Sequence, residues 1–91
     1  MIRTWRHKGL KQLFVGGTSA KVRPDQQRRS LRILDALKEA ERPEDMNIPG
    51  WNFHVLQGKP KRWAVAVNGP WRMTFEFERG DALNLSLEQY H

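Results

Sequence analysis

After Pro24, Leu31, Leu34, Leu37 and Ala40 recur at three- to four-residue spacing with Ile33 alongside, whereas Arg28, Arg29 and Arg32 fall mostly off that stripe. A period near 3.6 with proline in the first turn predicts a helix from Pro24 to about Ala40 whose apolar side needs a partner layer. Upstream, Leu10, Leu13 and Phe14 in HKGLKQLF repeat the pattern on a smaller scale. They predict a short helix ending at Gly16 and Gly17, preceded by a short strand in residues 1–5.

Residues 43–50, PEDMNIPG, hold two prolines and a glycine and read as a loop within one domain. Beyond it the period becomes two. Trp51, Phe53 and Val55 alternate with polar positions, then Trp63, Val65 and Val67, then Trp71, Met73, Phe75 and Phe77, then Leu83, Leu85 and Leu87. Four strands with one apolar face follow, and turns at Asn68-Gly69-Pro70 and Arg79-Gly80-Asp81 join the last three as an antiparallel meander. The architecture expected is α+β: a small antiparallel sheet packed on two N-terminal helices.

Alternation sends the aromatic and aliphatic set inward and places His54, Leu56, Arg72, Thr74 and Glu76 on the other, open face. Each large inward side chain contributes about 1.5–3 kcal/mol when buried, so a one-residue slip would be decisive against folding. Trp5, Trp51, Trp63 and Trp71 are most simply core, with Trp51, beside the loop, the one expected nearer solvent.

Ninety-one residues suffice for one core and one domain, 1–91. With no cysteine and three scattered histidines, neither a disulfide scaffold, thiolate chemistry nor a metal set is expected. The longest apolar run, Trp63 to Val67, is far below the roughly 18 residues of a membrane span, and no signal-peptide core is recognisable. A soluble, cytoplasmic protein with no cofactor and no membrane partner is the expectation.

The net charge of +6 is unevenly spread: residues 1–32 carry +8 and the remainder −2. That asymmetry favours a polyanionic partner over a merely solvated helix face, although charge alone does not choose among DNA, RNA and an acidic protein. The open face adds chemistry. RNA brings its own nucleophile, the 2′-hydroxyl, so a protein need supply only a base, an acid for the 5′-oxygen and a cation for the phosphorane. His54 can serve either proton-transfer role, Arg72 can grip a phosphate bidentately, and Tyr90 can stack on a base. Taken alone, a strand histidine and a terminal histidine are more simply structural.

The segments MIRTWRHKGLKQLF, FHVLQG, WAVAVNGPWRMTFEF and LEQYH resemble the HigB toxins of toxin–antitoxin modules, the plasmid-maintenance killer proteins of the RelE-like group. The similarity runs from Met1 to His91 and is most specific in the WRMTFEF strand, the terminal Tyr-His and the strand histidine followed by leucine and glycine. It implies a bacterial ribonuclease that enters the ribosomal decoding site and cuts messenger RNA by 2′-hydroxyl attack. It also implies a HigA-like helix-turn-helix antitoxin, with DNA contacted only indirectly through that partner. The positions it carries over as lining the cleavage site are His54, Arg72, Tyr90 and His91.

Two positions depart from the family pattern. Gln89 stands where an acidic residue often precedes the terminal Tyr-His, and Gln57 where a lysine often follows the strand histidine. Either His91 takes the base role, or Lys59, Lys61 and Arg62 compensate electrostatically, or activity is low. Lys8, Lys11, Arg23, Arg28 and Arg29 are expected to contact ribosomal RNA, as is His7 unless it simply faces solvent. Two rival functions remain: a ParE-like toxin that poisons DNA gyrase on the same fold, and a noncatalytic RNA-binding module.

Overall fold

The computed structural model describes residues 1–89. Two helices precede a four-stranded antiparallel meander: α1 (Lys8–Gly16), α2 (Pro24–Glu39), β1 (His54–Leu56), β2 (Arg62–Asn68), β3 (Trp71–Glu78) and β4 (Asp81–Gln89), with the strands in sequence order across the sheet. No helix among the described residues is long and apolar enough to cross a membrane. Gly17, with φ of 82°, ends α1 in the left-handed conformation and donates its N–H to Leu13 O. Pro24 opens α2 at the first turn.

The apolar stripes of both helices meet one face of the sheet. Leu10, Leu13, Ile33, Leu34 and Leu37 join Val65, Met73, Phe75, Leu85 and Leu87 in one buried cluster. The ladder sets Val65 opposite Met73 and Met73 opposite Leu87, so three strands present their apolar residues to the helices together. Trp63 stacks on Phe75 at 6.4 Å between ring centroids. All four tryptophans are partly buried against this core.

Several expectations change in detail. Residues 1–5 form no strand of their own. They make two isolated parallel bridges to β4, Ile2 with Ala82 and Trp5 with Leu85, and His7 already caps α1, leaving no length for a continuous ladder. The loop at 43–50 contains a 3₁₀ turn, Pro43–Met46, whose Met46 is fully buried.

The first strand shrinks to three residues because Gly50 (φ 86°) and Asn52 (φ 49°) turn the chain through left-handed conformations just before His54. Trp51 O instead accepts a lone hydrogen bond from Ala66 N–H. Val55, opposite Trp63 and so on the helix-facing side, is 52 % exposed because it lies on the sheet's edge.

Asn84, with φ of 53°, sits where the β3–β4 register shifts. This bulge reverses the parity of β4. Ala82 therefore joins the core, and Leu83, expected inward, pairs with Glu76 outside the central cluster.

Candidate active site

The face away from the helices is assembled by register. His54 pairs with Ala64, Ala64 with Thr74 and Thr74 with Ser86, while one step along Ala66 pairs with Arg72 and Arg72 with Glu88. His54 and Arg72 thus flank β2, across two adjacent same-face alanines. Two strand spacings and two residues along put their Cα atoms about 12 Å apart. Both line one pocket of about 60 Å³ with Asn52, Ala66, Gly69, Pro70 and Trp71. A single water needs only ~10–15 Å³ of such space.

His54 is oriented from its own strand entry. Its Nδ1 lies 2.8 Å from Asn52 O. A carbonyl oxygen only accepts, so Nδ1 carries the hydrogen and the neutral ring keeps its lone pair on Nε2. Asparagine suits that post, being among the few side chains that tolerate a left-handed backbone. His7 shows the opposite tautomer. Its Nδ1 accepts Leu10 N–H at 3.2 Å, which makes His7 the cap of α1. Burial, opposed by a backbone hydrogen bond and assisted by the Lys21 charge, holds the His7 pKa below its ordinary value.

The face expected to be open is in fact half covered. His54, Leu56, Arg72 and Glu76 are all partly buried, and Thr74 is 0 % exposed. Thr74 Oγ1 donates to Glu88 Oε2 at 2.9 Å, and Arg62 Nη1 reaches the same oxygen at 3.0 Å. The side chains crossing Thr74 are the physical reason it is not solvated. Burial raises the Glu88 pKa, but the Thr74 hydrogen bond and the Arg62 charge outweigh it, so the carboxyl sits below the usual range. The face therefore has a carboxylate that the sequence pattern did not single out. Its signal was available: Ser86 and Glu88 alternate with Leu85 and Leu87.

The basic residues separate into distinct environments. Lys8, Lys11, Arg28, Lys59 and Lys61 are exposed, with Lys61 also placed 5.3 Å over the Trp63 ring. Arg23 is exposed but paired with Asp25 at 3.0 Å. Arg62 is committed to Glu88. Arg29 is tied inward: Nε donates to Ala66 O at 3.2 Å, Nη2 donates to Gly50 O at 3.0 Å, and the guanidinium lies 5.4 Å from the Trp51 ring centroid. Tyr90 and His91 lie outside the described residues. Among the described residues no group of three or more His, Asp or Glu side chains forms a metal site.

The family described as the RelE-like toxin of the type II toxin–antitoxin system HigB matches residues 3–91. The chain is 36% identical over 92 residues to Endoribonuclease HigB of Proteus vulgaris, covering 100% of both proteins. It is 30% identical over 93 residues to Toxin HigB-1 of Vibrio cholerae serotype O1, covering 99% of this chain and 98% of that protein. With a two-helix, four-strand fold and a full-length family match, the chain belongs to the HigB-like toxins, the RelE-like toxins of type II toxin–antitoxin systems, and so has an antitoxin as its counterpart.

Proposed function

We propose that this toxin is a metal-independent endoribonuclease that cleaves messenger RNA on the ribosome, in the cytoplasm, and thereby stops translation. One observation carries the proposal. His54 and Arg72 line one pocket on the helix-free face of a basic domain; the name endoribonuclease borne by a full-length relative supports the same reading. His54 Nε2 takes the proton of the RNA 2′-hydroxyl as it attacks the adjacent phosphorus. Arg72 holds the non-bridging oxygens and offsets the charge that builds on the phosphorane. His91 donates a proton to the departing 5′-oxygen, and Tyr90 orients the nucleotide. The products are a 2′,3′-cyclic phosphate and a free 5′-hydroxyl.

The tautomer set by Asn52 O supports His54 as base, since it leaves Nε2 able to accept. Glu88 is ionised and already engaged by Thr74 and Arg62, so it organises cations instead of taking the proton. Lys8, Lys11 and Arg28 contact ribosomal RNA, and Lys59 and Lys61 extend the positive surface beyond β1. The antitoxin is a helix-turn-helix protein of the HigA type, through which the pair reaches DNA.

End-mapping of message on programmed ribosomes, and of the same RNA without ribosomes, tests this. His54→Ala and Arg72→Ala should each lower single-turnover cleavage by about 10²–10⁴ while ribosome binding persists. Undiminished growth arrest by both variants, without the cyclic-phosphate ends, would overturn the proposal. Gyrase inhibition by wild type with intact RNA would select the ParE-like reading instead.

A further inference from the structure

Arg29 ties together three parts of the chain that meet behind the pocket. From α2 it donates to Ala66 O in β2 and to Gly50 O in the preceding loop, and its guanidinium covers the Trp51 ring. Ala66 returns the link by donating its N–H to Trp51 O at 2.8 Å. The next residue, Asn52, presents the carbonyl that accepts His54 Nδ1–H. Ala66, Asn52 and His54 all line the pocket.

Residues 50–53 belong to no strand, and their backbone runs through two left-handed residues, Gly50 and Asn52. No ladder fixes the Asn52 carbonyl. The backbone leading into it is anchored at Trp51, whose O accepts Ala66 N–H and whose N–H is donated to Ile48 O at 3.0 Å, and at Gly50, whose O accepts from Arg29. The clamp suits arginine in particular. A planar fork can meet two carbonyls while its face rests on an indole, which a lysine ammonium cannot reproduce.

We propose that Arg29 is a positioning residue for catalysis: by fixing the loop at residues 50–52 it holds Asn52 O against His54 Nδ1 and keeps Nε2 as the proton acceptor facing the pocket. The inference rests on the reading of His54 as the general base. It removes Arg29 from the set of cations expected to contact RNA.

The test compares Arg29→Met and Arg29→Lys with wild type in the full-length protein. The ¹⁵N spectrum of the histidine side chains at alkaline pH reports each ring's tautomer, and His7, with the opposite tautomer, is an internal control. Wild type should show His54 as the Nδ1–H form. Arg29→Met should mix in the Nε2–H form and lower the single-turnover rate on saturating ribosomes roughly 10- to 100-fold, with half-saturation unchanged. Arg29→Lys should fall between the two. Weaker ribosome binding with an unchanged maximal rate would make Arg29 an RNA contact and overturn the proposal, as would a wild-type tautomer together with a wild-type rate in Arg29→Met.

Should Arg29→Met fail to fold, Arg29→Lys decides by the same spectrum, a wild-type tautomer and rate counting against the proposal. The tautomer measurement requires no RNA. Absence of cleavage by wild type would sink the nuclease reading, while the spectrum would still judge the link from Arg29 to His54.

Discussion

Arg62 and Glu88, on strands separated by β3, meet at 3.0 Å across the buried hydroxyl of Thr74, which donates to the same carboxylate oxygen. The pair spans the face that carries His54 and Arg72 and binds the outer part of the sheet to β4. Glu88→Ala would leave the Thr74 hydroxyl without its acceptor and should cost about 1–2 kcal/mol in urea unfolding. Because the folded carboxyl titrates below its unfolded value, its contribution is complete above about pH 4.3 and is lost as pH falls through the lower folded value. Stability measured from pH 6 to pH 3 should therefore fall less steeply in Glu88→Gln than in wild type.

His7 gives a second pH dependence of the same sign in a different range. Its folded pKa is depressed, so protonation favours the unfolded chain. Stability from this residue is fully present above about pH 6.5 and declines as pH drops through the folded value. His7→Asn, which keeps an N-capping acceptor, should flatten thermal stability between pH 7 and pH 5.

Exposed and committed arginines should behave differently. Arg28 is exposed, whereas Arg23 is shared with Asp25. Replacing Lys8, Lys11 and Arg28 together by glutamine should weaken ribosome binding and lower its salt slope by up to about one for each phosphate no longer neutralised. Unfolding free energy should change little, by about 0.5 kcal/mol or less per site. A binding titration at several salt concentrations, beside urea melts, checks both halves.

Phe75 is completely buried and stacked beneath Trp63. Phe75→Ala should cost about 3–5 kcal/mol. Such a loss approaches the whole stability of a domain this small. Low yield and protease sensitivity are the expected readouts, with Met73→Leu as the volume-conserving control that stays folded.

How much of this was legible depended on the range of the interactions involved. The Leu31, Leu34 and Leu37 stripe is local, and the helix followed from it. Alternation along β3 also put Arg72 and Thr74 on one side, where they stand. Asn84 was invisible because Leu83, Leu85 and Leu87 keep their spacing through the bulge while the backbone changes hand between them. Val55 fitted its parity and still met solvent, since a strand pattern does not say where the sheet ends. Arg29 resembled its neighbours in a charged run. Its partners lie 37 and 21 residues away and are carbonyls, which any sequence offers at every position.

The opening residues have an effect that outlasts their lack of regular structure. Arg3 N–H and Arg6 N–H reach Ala82 O and Leu85 O, while Ala82 N–H and Leu85 N–H donate to Met1 O and Thr4 O. They hem the flank of β4 that would otherwise invite another chain, and the opposite flank offers only three residues of ladder. Trimming five residues from the amino end would unhem that flank, and self-association of the purified protein would be the expected result.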